Sequence, residues 1–140
     1  MLIYNLILYT ISPYILIKLI IETIKRKSGI LFLAQRLGLR LRKSNESVIW
    51  IHAASVGEAR IALNVYKGLS RDLPNEKFLI TTNTSPSKLI IPEQDNLYHQ
   101  YMPVDWFLST QRMIKAINPK ICILIETELW PNLVSICKHK

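Results

Sequence analysis

The chain has 140 residues, 49% of them hydrophobic and 20% charged, which excludes a disordered polymer and allows about one domain. Its net charge of +8 calls for an anionic partner: nucleic acid, a membrane surface or a phosphorylated substrate. Cys122 and Cys137 lack C-x-x-C spacing and read as reduced packing thiols, against a disulfide or a metal site.

Residues 1–24 form a separate compositional zone. Positions 1–17 carry no charged side chain, Lys18 interrupts the apolar run, and Lys25-Arg26-Lys27 closes it. The run is long enough to cross a bilayer only if Lys18 is tolerated, and Lys18 can snorkel toward the basic end. No basic segment precedes it and no small-residue cleavage site follows, which argues against a removable signal peptide. Pro13 marks a kink or a break. The expectation is a membrane-anchor helix; the alternatives are a helix lying in the interface or packed on another domain. If the helix spans, the cations after it place the rest of the chain in the cytoplasm. Residues 25–47 are cation-rich, with Leu31, Leu33, Ala34, Leu37 and Leu41 at roughly helical spacing. This predicts a basic amphipathic juxtamembrane helix, each cation gaining about 1 kcal/mol at an anionic surface. No aromatics interleave the cations and no nucleic-acid-binding signature is present, so nucleic acid is the weakest partner class.

From residue 48 to 140, strand and helix signals alternate. Strands are expected at 48–52, 78–82, 97–101 and 121–125, with helices at 59–69, from Thr84 toward 91, at 106–117 and from Pro131 onward. Pro131 fits the first position of a helix, and Asn118-Pro119 ends the one before it. Residues 121–125 are apolar throughout, so that strand is expected to be buried on both faces. The pattern predicts an α/β fold with a doubly wound, Rossmann-like parallel sheet.

In such a sheet, ligands bind in the crevice at the carboxyl ends of the strands. Ser55-Val56-Gly57-Glu58 falls there. Taken alone it reads best as a capping box, since Ser followed three residues later by Glu satisfies unpaired N–H groups at a helix start. The same carboxylate could take a proton if held within hydrogen-bond reach of an attacking hydroxyl. Gly57 either lets a ligand approach the backbone or simply permits the turn. Glu126-Thr127-Glu128-Leu129-Trp130-Pro131-Asn132 follows the last strand. If extended geometry persists, Glu126 and Glu128 share a face and could divide acid and base roles. Otherwise one caps a helix and the other faces water, with Trp130 as a packing residue. His52, His99 and His139 lack metal-ligand spacing; His52 or His99 could line the crevice, but a structural role is simpler for each. Thr81, Thr82, Asn83, Thr84 and Ser85 offer polar groups suited to a sugar or phosphate, or to helix capping. There is no glycine-rich phosphate loop, and no metal or cofactor is expected.

In this order, the motifs resemble the 3-deoxy-D-manno-octulosonic acid (Kdo) transferases of Gram-negative bacteria. The matches are Ser55 to Glu58, Thr81-Thr82-Asn83-Thr84, Tyr101-Met102-Pro103-Val104-Asp105 and Glu126 to Asn132, with Arg36-Leu37-Gly38 resembling an Arg-x-Gly segment. The resemblance implies the amino-terminal half of a GT-B glycosyltransferase, moving Kdo from CMP-Kdo to lipid IVA at the cytoplasmic face of the inner membrane. It implies Glu58 as proton acceptor and Glu126 as transition-state stabiliser. Ser55, Gly57, Thr82, Thr84 and Arg36 fall on the acceptor side. The basic stretch suits a phosphorylated acceptor by charge alone. Ser85-Pro86-Ser87-Lys88 lacks the glycine of the family's Thr-Pro-x-Gly, which implies a less close ligand contact. The chain stops at Lys140, before the family's donor-binding half. The expectation is therefore a fragment inactive alone, completed by a second chain carrying the donor domain. The alternative is a membrane-anchored, non-catalytic interaction protein or gene remnant.

Overall fold

Apolar residues and one proline shape the amino terminus into three short helices: α1 (Leu2–Thr10), α2 (Ser12–Lys25) and α3 (Gly29–Arg36). Pro13 sits in the first turn of α2, where its missing N–H costs nothing, and the chain bends by 54° between α1 and α2. In this computed structural model, which describes residues 1–126 and 130–138, no single helix is long and apolar enough to cross a membrane. The bent pair α1 and α2 meets that length and composition only jointly.

The helix expected across the basic segment ends early, at Arg36. Gly38 adopts a left-handed conformation (φ +74°), and the N–H groups of Gly38 and Leu39 donate to the carbonyls of Gln35 and Ala34. This pairing closes a helix end and favours glycine. A Cβ at position 38 would also fall 2.7 Å from the Cβ of Ser109, so packing demands glycine a second time.

Beyond this, β-branched and aromatic side chains make β1 (Val48–Ala53), buried along its whole length. α4 (Val56–Asp72), β2 (Lys77–Thr82), α5 (Ser85–Lys88), β3 (Leu97–Tyr101), α6 (Phe107–Ile117), β4 (Pro119–Leu124) and α7 (Pro131–Lys138) follow. The four strands are parallel in the order β3-β2-β1-β4, and Pro131 opens α7 as its sequence position predicts. The Rossmann-like α/β reading therefore stands. Strand β4 differs from expectation: it lies at the sheet edge with one neighbour, and Ile121 is 54% exposed. Burial depends on what covers a strand, and among the described residues β4 has β1 alone beside it. Burial pushes the Cys122 thiol of β4 up to about 12, as suits a packing thiol, whereas Cys137 is exposed on α7.

Two apolar layers hold the sheet. Ile49, Ile51, Phe78 and Ile80 pack with Ala59, Ala62 and Tyr66 of α4. On the other face Val48, Trp50 and Leu79 pack with Met113, Ile114 and Ile117 of α6 and Leu133 of α7. A third cluster joins Leu19 and Phe32 of the amino-terminal helices to Tyr101 and Val104, with Phe32 edge-on to Tyr101 at 4.8 Å.

Asp105 ties these parts together. It is fully buried just after β3, and its carboxylate accepts from the backbone N–H groups of Asn132 (2.9 Å) and Leu133 (3.0 Å) in the first turn of α7. It also accepts from the hydroxyls of Tyr4 (3.0 Å) and Thr110 (3.2 Å). The Asn132 side-chain amide donates to the Asp105 carbonyl and to Asn5 Oδ1 (2.7 Å), and Trp106 Nε1 donates to Ser12 Oγ (2.8 Å). Substituting Asp105→Asn puts an amide donor where only acceptors fit. The expected loss is about 3 kcal/mol, read as a lower urea midpoint, against about 1 kcal/mol for Tyr4→Phe. Equal small losses would show that the hub does not hold the helices together.

Candidate functional site

The carboxyl ends of the parallel strands β1, β2 and β4 lie along one edge of the sheet, where a crevice is expected in such folds. At the end of β1, Ser55 is extended and caps α4, its Oγ accepting the Glu58 N–H at 3.3 Å. Glu58 reaches back, and its Oε2 accepts the Ala54 N–H at 2.8 Å. The capping box is thus present, and the same bonds immobilise a buried carboxylate at the strand end. Its second oxygen, Oε1, makes no hydrogen bond among the described residues. Gly57 does not adopt the left-handed conformation that would require glycine; a Cβ there would meet only Ser55 Oγ, at 3.9 Å. What its missing side chain provides is open space beside Glu58.

At the end of β2, the side chains alternate between the faces of the sheet. Thr81 Oγ1 accepts from Trp50 Nε1 (2.8 Å) and is 2.9 Å from His52 Nδ1. On the opposite face Thr82 Oγ1 is 2.9 Å from His99 Nε2. Thr84 and Ser87 share a hydroxyl contact of 2.6 Å. Asn83 Oδ1 accepts from Arg36 Nη1 at 3.0 Å, and the same nitrogen donates to the Met102 carbonyl. Burial lowers Arg36 to about 10, with Glu22 pulling it back up, so the guanidinium stays charged. It has no carboxylate within ion-pair distance among the described residues. Its buried Nε has no hydrogen-bond partner among the described residues.

At the end of β4, the Ile125 N–H donates to the His52 carbonyl, and Glu126 then turns left-handed (φ +61°) with its side chain exposed. Extended geometry stops there, at Glu126. Thr127, Glu128, Leu129 and His139 lie outside the described residues. Trp130 packs on the α6 and α7 side of the core, edge to face with His52 at a centroid distance of 6.0 Å.

The crevice thus gathers Ser55, Gly57, Glu58 and His52 from β1, Asn83 and Thr84 from β2, and Glu126 from β4, with Arg36 reaching in from α3. Thr82 is brought near in the chain but is fully buried behind the sheet against His99. Sequence reasoning gave no role to Asn83 beyond a polar segment, nor any to Asp105. Asn83 next to the threonines was the available signal; nothing local marks Asp105 as the cap of a helix that begins far along the chain.

Comparison with known proteins bears on what this crevice is for. A family model described as 3-deoxy-D-manno-octulosonic-acid transferase (kdotransferase) matches residues 32–140. Among curated proteins, a 3-deoxy-D-manno-octulosonic acid transferase of Rickettsia bellii is 32% identical over 135 residues, covering 94% of this chain and 32% of the relative. The transferase of Haemophilus influenzae is 41% identical over 88 residues, covering 61% of this chain and 21% of the relative. A probable mitochondrial transferase of Arabidopsis thaliana is 34% identical over 90 residues, 63% of this chain and 20% of the relative. The chain spans about a third or less of the length of these relatives.

Two buried histidines make the stability of the fold pH-sensitive. Burial lowers His52 to about 4, helped by the Arg36 charge and opposed by Glu58; burial likewise lowers His99 to about 3, helped by Lys88. Both are neutral in the fold, while unfolded they take up a proton near pH 6.5. Stability is therefore fully present above pH 6.5 and is lost as pH falls toward the folded values. Relative to His52→Gln, the intact chain is expected to lose about 1 kcal/mol per pH unit between roughly pH 6 and 4. Parallel urea-midpoint profiles for the two proteins would show that His52 is not held neutral.

Proposed function

This chain belongs to the 3-deoxy-D-manno-octulosonic-acid transferase family, and from that premise we propose that it forms the acceptor side of a GT-B glycosyltransferase. The reaction is transfer of Kdo from CMP-Kdo to lipid IVA, a lipid A precursor, at the cytoplasmic face of the inner membrane. The observation that carries this reading is the placement of Ser55-to-Glu58 and Glu126 at the carboxyl ends of adjacent strands β1 and β4.

In this mechanism Glu58 takes the proton from the attacking sugar hydroxyl. The Ala54 N–H fixes one of its oxygens and leaves the other for the hydroxyl. Glu126 stabilises charge developing on the transferred sugar. Gly57 leaves room for the acceptor ring, and Arg36 supplies a cation for an acceptor phosphate. Ser55, Thr82 and Thr84 hold the loops that frame the acceptor. In this reading a donor-binding domain holds the activated sugar. No step requires a metal ion.

Glu58→Gln keeps the capping geometry, because glutamine serves in the same box. With a donor-binding domain present, it is expected to lower the transfer rate by about a hundredfold or more while leaving the thermal midpoint unchanged. Retained transfer would reduce Glu58 to a cap.

Membrane attachment is part of the proposal. Ile3, Ile7, Ile17 and Ile24 of α1 and α2 are more than half exposed, beside Lys18, Lys25, Arg26 and Lys27. An apolar face with flanking cations suits helices lying in the interface of an anionic bilayer. Replacing these four isoleucines with serine should weaken binding to vesicles containing anionic lipid by roughly tenfold or more. Undiminished vesicle binding would assign attachment to another surface.

A further inference from the structure

The segment that leaves α3 is tied to α6 at both ends. Gly38 sits on Ser109, whose Oγ donates to the Leu37 carbonyl at 3.2 Å. Further along, the Ser44 N–H donates to the Ala116 carbonyl at 2.9 Å. Between these ties the helix rises only about 10 Å, whereas the matching stretch of extended chain could span roughly 20 Å. The segment therefore bows away from the helix. Arg40 makes the bend in a left-handed conformation (φ +48°), and Leu41 turns back to pack in the core layer with Met113, Ile114 and Ile117. A groove of about 880 Å³ opens between the bowed segment and α6.

Cations line both walls of this groove. Arg40 and Lys43 come from the segment, Arg112 and Lys115 from α6. Positions 112 and 115 lie one helical turn apart and face outward together, because Met113, Ile114 and Ile117 take the buried face. All four cationic residues are exposed. Among the described residues no acidic side chain lines the groove, and neither 36–45 nor α6 contains one. Nor is any of the four in an ion pair among the described residues. Arg42, between Arg40 and Lys43, is engaged elsewhere: it lies over the Tyr98 ring at 4.4 Å and pairs with Glu93 at 3.5 Å. Four like charges around one opening repel one another and attract an anion. Arginine binds phosphate oxygens in pairs, and lysine adds a point charge. Leu39 and Leu41 add apolar surface, which suits the carbon body of a phosphate ester better than a bare ion. Among the described residues no aromatic side chain lines the groove for a base to stack on, which disfavours nucleic acid.

We propose that the groove between residues 38–45 and α6 is a phosphate-ester site separate from the crevice, in which Arg40, Lys43, Arg112 and Lys115 hold the phosphate. Its lining shares no residue with the set around Glu58. The tie between Ser44 and Ala116 stands beside the starts of β1 and β4, at the opposite end of the strands from that carboxylate. The chemistry is the same whether the ester is soluble or is the headgroup of a lipid. The cations recognise charge and oxygen geometry, and the leucines accept a sugar or a glycerol body alike. The site goes beyond sugar transfer and does not rest on it.

The test is amide NMR of the intact chain titrated with glycerol 3-phosphate, with glycerol as the neutral control. Saturable shifts at Arg40, Lys43, Arg112 and Lys115, absent with glycerol, are expected. Arg112→Gln with Lys115→Gln should weaken binding about tenfold or more. Arg60→Gln with Lys67→Gln removes the same charge from α4 and should weaken it less than about twofold. All four of these side chains are on exposed residues, so the folded spectrum should survive both changes. A second arm uses vesicles of phosphatidylcholine with and without phosphatidic acid, and the protein carrying the four isoleucine-to-serine substitutions. Binding that requires phosphatidic acid and is lost with the α6 pair supports the site and identifies a lipid headgroup. Binding of glycerol 3-phosphate alone supports it and identifies a soluble ester. Four outcomes would each overturn the proposal: equal shifts with glycerol, equal weakening by the two pairs, groove shifts with a single-stranded oligonucleotide only, or no groove shift together with lipid binding that ignores the α6 pair. Glu58→Gln bears on the crevice alone, so either reading can fail without the other.

Discussion

One buried carboxylate sets the geometry of this fold. Asp105 caps the start of α7, takes the hydroxyl of Tyr4 from α1 and that of Thr110 from α6. A charge out of water is costly unless its lone pairs are filled, and here four donors fill them. Burial still holds the Asp105 carboxyl above its ordinary range, with those four hydrogen bonds pulling it back down. Through these bonds the start of α7 is held against the end of β3 and the start of α6. The amino-terminal helices are fixed by the same group, so the apolar surface and the crevice share one support.

The crevice uses the two faces of the sheet differently. On the α6 and α7 face, Trp50, Thr81, His52 and Trp130 make a polar line inside an otherwise apolar layer. On the α4 face, Thr82 and His99 satisfy each other and present nothing outward. The strict alternation of side chains along β1 and β2 produces this division. One residue of register shift would exchange the two lines. The long parallel pairing of β1 with β2, in register from Val48 to Ala53, prevents that slip.

Much of this was legible in the sequence, because much of it is local. Alternating strand and helix signals, the box from Ser55 to Glu58 and the proline that opens α7 each depend on a few adjacent residues. The features that escaped depend on distant ones. Nothing near Asp105 announces the cap it provides 27 residues later. The apolar run in β4 reads as a central strand, yet burial is set by neighbours and not by composition. The left-handed Glu126 broke an argument that assumed a strand would continue. Pro13 was read as a kink or a break, and the bend it introduces splits the expected anchor helix in two. For the site, residue types were legible and partners were not: nothing in the sequence announced that Arg36 would donate to Asn83 and to the Met102 carbonyl.

The separation in sequence of the groups around Asp105 has a consequence for biosynthesis. Tyr4 lies 101 residues before Asp105, and Asn5 lies 127 residues before Asn132. At roughly 5–20 residues per second, the partners of α1 emerge on the order of ten seconds after α1 itself. The helices made first are therefore the last to be locked. Through that interval their leucines and isoleucines have no α7 or Asp105 to dock on, and any apolar surface near the ribosome competes for them. The order of synthesis thus leaves the segment open to whatever apolar surface it meets first, before the fold closes behind it.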